Sequence, residues 1–444
     1  MKEQIQLSDH FSYGRLIRFV MPSVVMMIFT SIYGVVDGIF VSNLVGKTPF
    51  AAVNLIFPLI MVLGGFGFML GTGGTAIVAK TLGLGDKEKA NEYFTFIILS
   101  TAVMGTVLAA LGIIFAEQVA ILLGAEGRLL EYAVLYCRVV LLGLPFFMLQ
   151  NTFQNFFVTA ERPKIGLAVT VIAGVTNIIL DALFIGLFGW GLVGAAAATA
   201  ISQAVGTIIP IFYFAFTKDA LIRFTKTAAY FKVLFEACFN GSSELLNNVS
   251  SSIVTILYNF QLLRFAGENG IAAYGAIMYV NFIFIAIFIG FVIGAAPIVS
   301  FHYGAENTVE LKSLRKKSVN IVFAVGGAMV AIALMLSVPL CKIFVGYDVA
   351  LYEITLRGFI IFAFSYLITG FNIFGSAFFT ALNNGGVSAI ISFLRTLVFQ
   401  TLAVLLMPEI FELDGVWFSV IVAEVLSALV TVIFLVAKQK RYKY

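Results

Sequence analysis

Charge is scarce in this chain. Only 11% of its 444 residues are Asp, Glu, Lys or Arg, against 61% hydrophobic, and the mean hydropathy is +1.04. A soluble globular chain carries about 25% charged residues, so the scarcity excludes one and names lipid as the solvent. Histidine is scarcer still, with only His10 and His302, both at loop positions. There is no HExxH, no GxSxG and no paired metal motif, so the chain is not expected to be an enzyme. Neither a cofactor nor nucleic acid is expected as a partner. The three cysteines, Cys137, Cys238 and Cys341, sit in apolar contexts without redox or metal spacing and read as packing residues. Residues 1–14 are polar and the first apolar run has no small-residue cleavage site, so that run is expected to stay in the membrane.

What the chain has is apolar length. A spanning helix needs about 20 apolar residues. Twelve stretches qualify, near 16–41, 51–79, 92–116, 132–159, 165–188, 192–216, 232–262, 271–300, 317–343, 353–381, 387–406 and 416–437. The expected fold is an all-α polytopic membrane protein. Its basic residues set the orientation. Three lie more than two residues inside a span (Arg138, Arg357 and Arg395), and four fall on one side of the alternation (Lys47, Arg128, Arg264 and Lys342). The remaining twenty of the 27 fall on the other side, with both termini. That side is expected to be cytoplasmic, in an inner membrane.

The twelve spans divide into two similar halves. Shifted by 221 residues, Gly46 falls on Gly267, Gly83 on Gly304, Asn151 on Asn372, Thr159-Ala160 on Thr380-Ala381 and Gly194 on Gly415. Six spans per half keep both halves in one orientation, so the repeat is parallel, with a pseudo-twofold axis along the membrane normal. The expected division is a first lobe at 1–216, a basic, amphipathic interfacial linker at 217–231 and a second lobe at 232–444. The chain is expected to work as a monomer.

Ionisable residues inside spans are the sharpest functional signal in a membrane chain. Asp37 lies in span 1 and Asp181 in span 5. With a rise of about 1.5 Å per residue, these two and Thr199 in span 6 lie roughly 6–11 Å below the outer edge. Asn177 is one turn from Asp181 on the same face, and span 4 adds Gln150, Asn151, Gln154 and Asn155. Carboxylates withdrawn from water hold protons more tightly, and a second carboxylate nearby strengthens the effect. The same oxygens also suit a hard cation such as Na⁺. The residues alone leave H⁺ and Na⁺ both open, with two acids among few other hard ligands favouring H⁺. No other metal is expected. The second half has Glu244, Arg395 and Glu424 within spans, either as a buried ion pair or with one glutamate facing a cavity. Pro22 shares a helix with Asp37 and is the candidate hinge, since proline removes a backbone donor.

Several runs carry a family likeness. Asp37 sits in VDGIFV, span 5 reads NIILDALFI, span 6 reads GAAAATAIS, and LGLGD follows span 2. Within two parallel six-helix repeats, this set resembles the multidrug and toxic compound extrusion (MATE) family over essentially the whole chain. The span 1 aspartate with Asn-x-x-x-Asp in span 5 is similar to its DinF-like branch. The resemblance implies two lobes forming a V and an antiporter that expels organic cations or amphiphilic drugs in exchange for H⁺ or Na⁺. It implies that Asp37, Asn177, Asp181 and Thr199 carry the coupling ion, with Gln154 or Asn151 as the span 4 amide. The second half departs from the branch that has an acid in span 7. The proline position there reads Ser243 and the acid position Ser251, so that role is not carried onto Glu244. A flippase for lipid-linked precursors is the alternative within the same architecture. Such proteins favour basic cavities for phosphate, whereas the candidate residues of the first half are acids and amides. Under the 221-residue shift Asp37 meets Tyr258, Asn177 meets Val398, Asp181 meets Leu402, Gln154 meets Gly375 and Thr199 meets Val420. The scaffold repeats and the chemistry does not.

Overall fold

A computed structural model describes residues 5–217 and 220–444, and every regular element among them is helical. Lys2 and Lys218, counted above among the basic residues, lie outside the described residues. Helices 1, 2 and 3 run over Tyr13–Leu44, Lys47–Gly83 and Lys87–Ile114. Helix 4 is a bent pair, Gly127–Leu142 and Leu144–Thr159, turned by 49°. Helix 5 is Pro163–Asp181, continued by a π-helical turn at Ala182–Leu187. Helix 6 is Gly191–Phe216.

The second half repeats the plan. Phe231–Gly304 is 74 residues long but breaks at Gly267, whose φ of 61° no helix contains. The break separates helix 7 (231–266) from helix 8 (268–304). Gly46, its counterpart under the 221-residue shift, has φ 109° between helices 1 and 2. Both turns need a conformation that glycine adopts without steric cost. Helix 9 is Thr308–Val345. Helix 10 is the bent pair Val349–Ala363 and Tyr366–Ala381, turned by 50°. Helix 11 is Gly385–Phe393, a π-helical turn at Leu394–Phe399 and Gln400–Leu406. Helix 12 follows a second non-helical residue, Glu412, within Pro408–Tyr442. The count of twelve expected from apolar length holds once the Gly267 break and the bent pairs are recognised.

Apolar side chains also face outward. On helix 3, Leu99, Val103, Val107 and Leu111 stand exposed at four-residue spacing. A stripe of that kind is unstable in water and suits lipid. The inner faces are well packed. At one end of the first lobe Phe94, Phe156 and Phe214 meet with ring centroids 4.8–4.9 Å apart.

The lobes form a V that is closed at the end carrying the basic loops, here called the basic end. Closure depends on glycine. A Cβ on Gly83 would lie 2.0 Å from the Phe301 carbonyl oxygen, and one on Gly304 would lie 2.1 Å from the Lys80 carbonyl oxygen. Gly73 and Gly241 likewise let helices 2 and 7 touch backbone to backbone, and Gly294 admits Val20 of helix 1. Helix 1 therefore leans on helix 8, with Leu16, Phe19, Val20 and Val24 joining the hydrophobic core of the second lobe. Helix 7 leans on helix 2 in the same way, through Val233 and Ala237 against Leu70 and Ile77.

Two further segments tie the basic end. Leu7 and Phe11 are fully buried. The Leu7 N–H donates to Glu161 of the first lobe (2.6 Å), and the Phe11 N–H donates to Glu310 of the second (2.9 Å). The described part of the linker from 220 to 230, read from sequence as amphipathic and interfacial, is non-helical and turns Ile222 and Phe224 toward protein. Ile222 is buried, and Phe224 stacks on Phe94 at 5.1 Å. The Arg223 N–H donates to Asn91 Oδ1 (2.8 Å) and the Thr225 N–H to Thr95 Oγ1 (3.1 Å).

Candidate ion and substrate site

Helix 5 carries Asp181 as its last α-helical residue, where the chain widens into the π-helical turn. Such turns are frequent at functional sites because they displace one residue from the regular ladder. Helix 1 carries Asp37 opposite. The two carboxyl groups face one another within hydrogen-bonding reach. Asp181 is fully buried. No N–H or O–H of the described residues donates to either Asp181 oxygen or to Asp37 Oδ1. Two adjacent carboxylates without donors, one buried and one half-buried, repel each other unless a proton or a cation stands between them.

Asn177 lies one turn back along helix 5, buried, with both its side-chain oxygen and nitrogen unpartnered. The space around helix 1 is open here, since a Cβ on Gly34 or Gly38 would meet nothing within 4 Å. Thr199 is half-buried on helix 6, and its carbonyl accepts the Ser202 hydroxyl at 2.8 Å. The helix 4 amides are engaged elsewhere. Gln154 donates to Thr170 Oγ1 (3.0 Å), and Asn151 donates to its own helix at the Phe147 carbonyl (2.8 Å). The structure thus brings Asp37 and Asp181 together with Asn177 beside them, and gives neither Gln154 nor Asn151 a hydrogen bond to the acids.

Two tyrosines join the site that sequence reasoning did not single out. Tyr136 of helix 4 is buried within electrostatic reach of both carboxylates. Tyr33 lies one turn before Asp37 and feels its charge. The i, i+4 spacing of Tyr33 and Asp37 was the available signal. Nothing local marks Tyr136, which the fold brings in.

The second lobe holds a different set. Arg395, inside the π-helical turn of helix 11, donates from Nε and Nη2 to Glu424 Oε1 at 3.0 and 2.8 Å. Asn372 donates to Glu424 Oε2 at 2.6 Å. Arg395 and Glu424 thus form the buried pair, and Glu244 stands outside it. Pro22, the candidate hinge, is buried where helix 1 meets helix 8, two residues from the contact of Val24 with Gly290.

The MatE family model matches residues 22–183 and 245–405. The chain is 25% identical over 424 residues to the multidrug export protein MepA of Staphylococcus saprophyticus, covering 93% of this chain and 91% of that protein. A solved structure of MATE in complex with MaL6 superposes with a TM-score of 0.94 at 23% identity, covering 100% of each chain. Another, described as the outward-facing conformation of a multidrug resistance MATE family transporter of the MOP superfamily, gives 0.93 at 23% identity. It covers 100% of this chain and 99% of that one. The matched regions take in both repeats and carry Asp37, Asp181 and Arg395, and on that ground the chain belongs to the MatE family of membrane transporters, which are not enzymes.

Proposed function

We propose that the protein is a secondary antiporter that exports organic cations or amphiphilic drugs in exchange for a proton, or for Na⁺, across an inner membrane. The basic end and both termini are cytoplasmic, and the chain works as a monomer. The observation that carries this reading is the facing pair Asp37 and Asp181, which no donor among the described residues satisfies. The likeness to the multidrug export protein MepA supports drug export as the task.

In the proposed cycle the ionised pair, with Asn177 and Thr199 beside it, attracts a cationic substrate from the cytoplasmic side. A proton or Na⁺ entering from outside then neutralises the carboxylates. Helix 1, hinged at Pro22 and bordered by open space at Gly34 and Gly38, shifts and releases the substrate. The driving force is the difference in the ion's affinity for the two states. Gln154 and Asn151 complete the site in a state where their amides turn from their present partners.

Drug-stimulated counterflow in proteoliposomes, with Na⁺ and pH gradients imposed separately, tests the coupling. An Asp37→Asn variant is expected to insert normally and to lose drug transport in everted vesicles. Wild-type rates from that variant would sink the coupling assignment.

A further inference from the structure

Glu244, Arg395 and Glu424 put two acids and one base within the spans of the second lobe. Glu424 is complete, with Arg395 and Asn372 donating to its oxygens. Glu244 is not complete. No hydrogen bond from the described residues reaches its carboxylate, and Arg395 acts on it only from beyond direct pairing distance. Since Glu424 already neutralises Arg395, the negative charge of Glu244 has no counterpart.

The position of Glu244 gives this charge a use. On helix 7, Ala237, Gly241, Glu244 and Asn248 recur at i, i+4, i+7 and i+11, which is one face. That face meets helix 2, through Gly73 at Ala237, Met69 at Gly241 and Gly65 at Asn248. Ser251 and Thr255 continue the same face and are exposed. The lobes therefore part just beyond Asn248, and Glu244, half-buried, lies at the floor of the cleft. Three residues on, Asn247 Oδ1 is buried with no donor. Asn248 turns its amide back to the Glu244 carbonyl (2.9 Å) and so supplies no donor to the carboxylate.

We propose that Glu244 and the Asn247 side-chain carbonyl form a second-lobe subsite that takes a protonated amine at the cleft floor. Both groups accept hydrogen bonds and neither has a donor among the described residues, so the ligand must bring N–H groups as well as positive charge. A protonated amine brings both, whereas a quaternary ammonium brings charge alone. A bare metal ion fits poorly, because these two side chains offer it few ligand oxygens where a hard cation takes about six. The inference rests on the export reading above and adds the chemistry of one end of the substrate.

The test is equilibrium binding to the full-length purified chain of a fluorescent amphiphile carrying a primary amine, with its N-acetylated and trimethylammonium analogues as comparators. The wild type is expected to bind the amine at least tenfold more tightly than the acetylated analogue. Glu244→Gln should remove that preference while binding the acetylated probe unchanged, and Glu244→Asp should retain most of it. Asn247→Ala should weaken the amine more than the quaternary analogue, and it serves in its own right if Glu244→Gln does not fold. Equal binding of amine and acetylated probes by the wild type, an unchanged amine preference in Glu244→Gln, or equal weakening of all probes overturns the subsite. Direct displacement of the amine by Na⁺ at constant ionic strength in an Asp37→Asn background overturns it as well. Loss of gradient-driven counterflow in the wild type with amine binding intact would count against the antiporter and leave the subsite standing.

Discussion

A carboxylate inside an apolar run is visible in any membrane sequence, and so Asp37, Asp181, Glu244 and Glu424 were all legible. Their partners were not, because a side chain's role depends on what the fold turns toward it. Arg395 had two acids within plausible reach, and the structure gives it to Glu424. The pair makes a prediction at its own scale. Removing one partner of a buried pair leaves an uncompensated charge and costs about 3–5 kcal/mol. Glu424→Gln is therefore expected to lower the unfolding temperature of the solubilised protein sharply. Replacing both partners with apolar residues should recover much of the loss. Equal destabilisation by the single and double replacements would contradict this account.

At the scale of elements, the helices followed from apolar length, and Gly267 from its match to Gly46. The π-helical turns left no trace in residue pattern, because they are set by packing around Asp181 and Arg395. The packing of the linker was hidden for a related reason. The sequence TKDALIRFTKTAAYF alternates apolar and basic residues, which suits a lipid surface. It equally suits a strap that inserts Ile222 and Phe224 between helices, and the free acceptors Asn91 and Thr95 on helix 3 decide for the strap. The glycines of the interlobe seam were legible only as repeat markers. Their structural purpose yields a test, since a methyl group on Gly304 would overlap the Lys80 carbonyl. Gly304→Ala is expected to lengthen spin-label distances across the basic end, shifting the chain away from this closed arrangement. Gly327→Ala, where a Cβ meets nothing within 4 Å, should leave the distances unchanged. Equal distances in both variants would remove the seam as the determinant of closure.

Across the whole molecule the two lobes are built alike and fastened differently. Helix 7 is fixed to helix 11 and the segment after it by three rungs. Tyr258 donates to Gln400 (2.9 Å) and Gln261 to the Val404 carbonyl (3.1 Å), while Arg264 pairs with Glu409 (2.5 Å). The matching stretch of helix 1 has the Asp37–Asp181 contact, and its Asn43 bonds within its own helix. The second lobe is thus fastened by fixed donors and the first by the Asp37–Asp181 contact, which a proton or cation controls in the proposed cycle. Amides of helix 7 over 258–264 are expected to exchange with deuterium more slowly than those of helix 1 over 37–43, as local opening follows local packing. The reverse order would remove the proposed division between a rigid lobe and a responsive one.

The seam at the basic end has one more consequence. Gly83 against the Phe301 carbonyl and Gly304 against the Lys80 carbonyl are a single contact made twice, because residues 80 and 83 correspond to 301 and 304 under the 221-residue shift. Each half carries both the glycine and the carbonyl that receives its twin, which is the self-complementarity of an isologous dimer interface. In its closure the chain is a twofold homodimer written as one polypeptide, and that covalent union left each half free to acquire charges that two identical subunits would have to share.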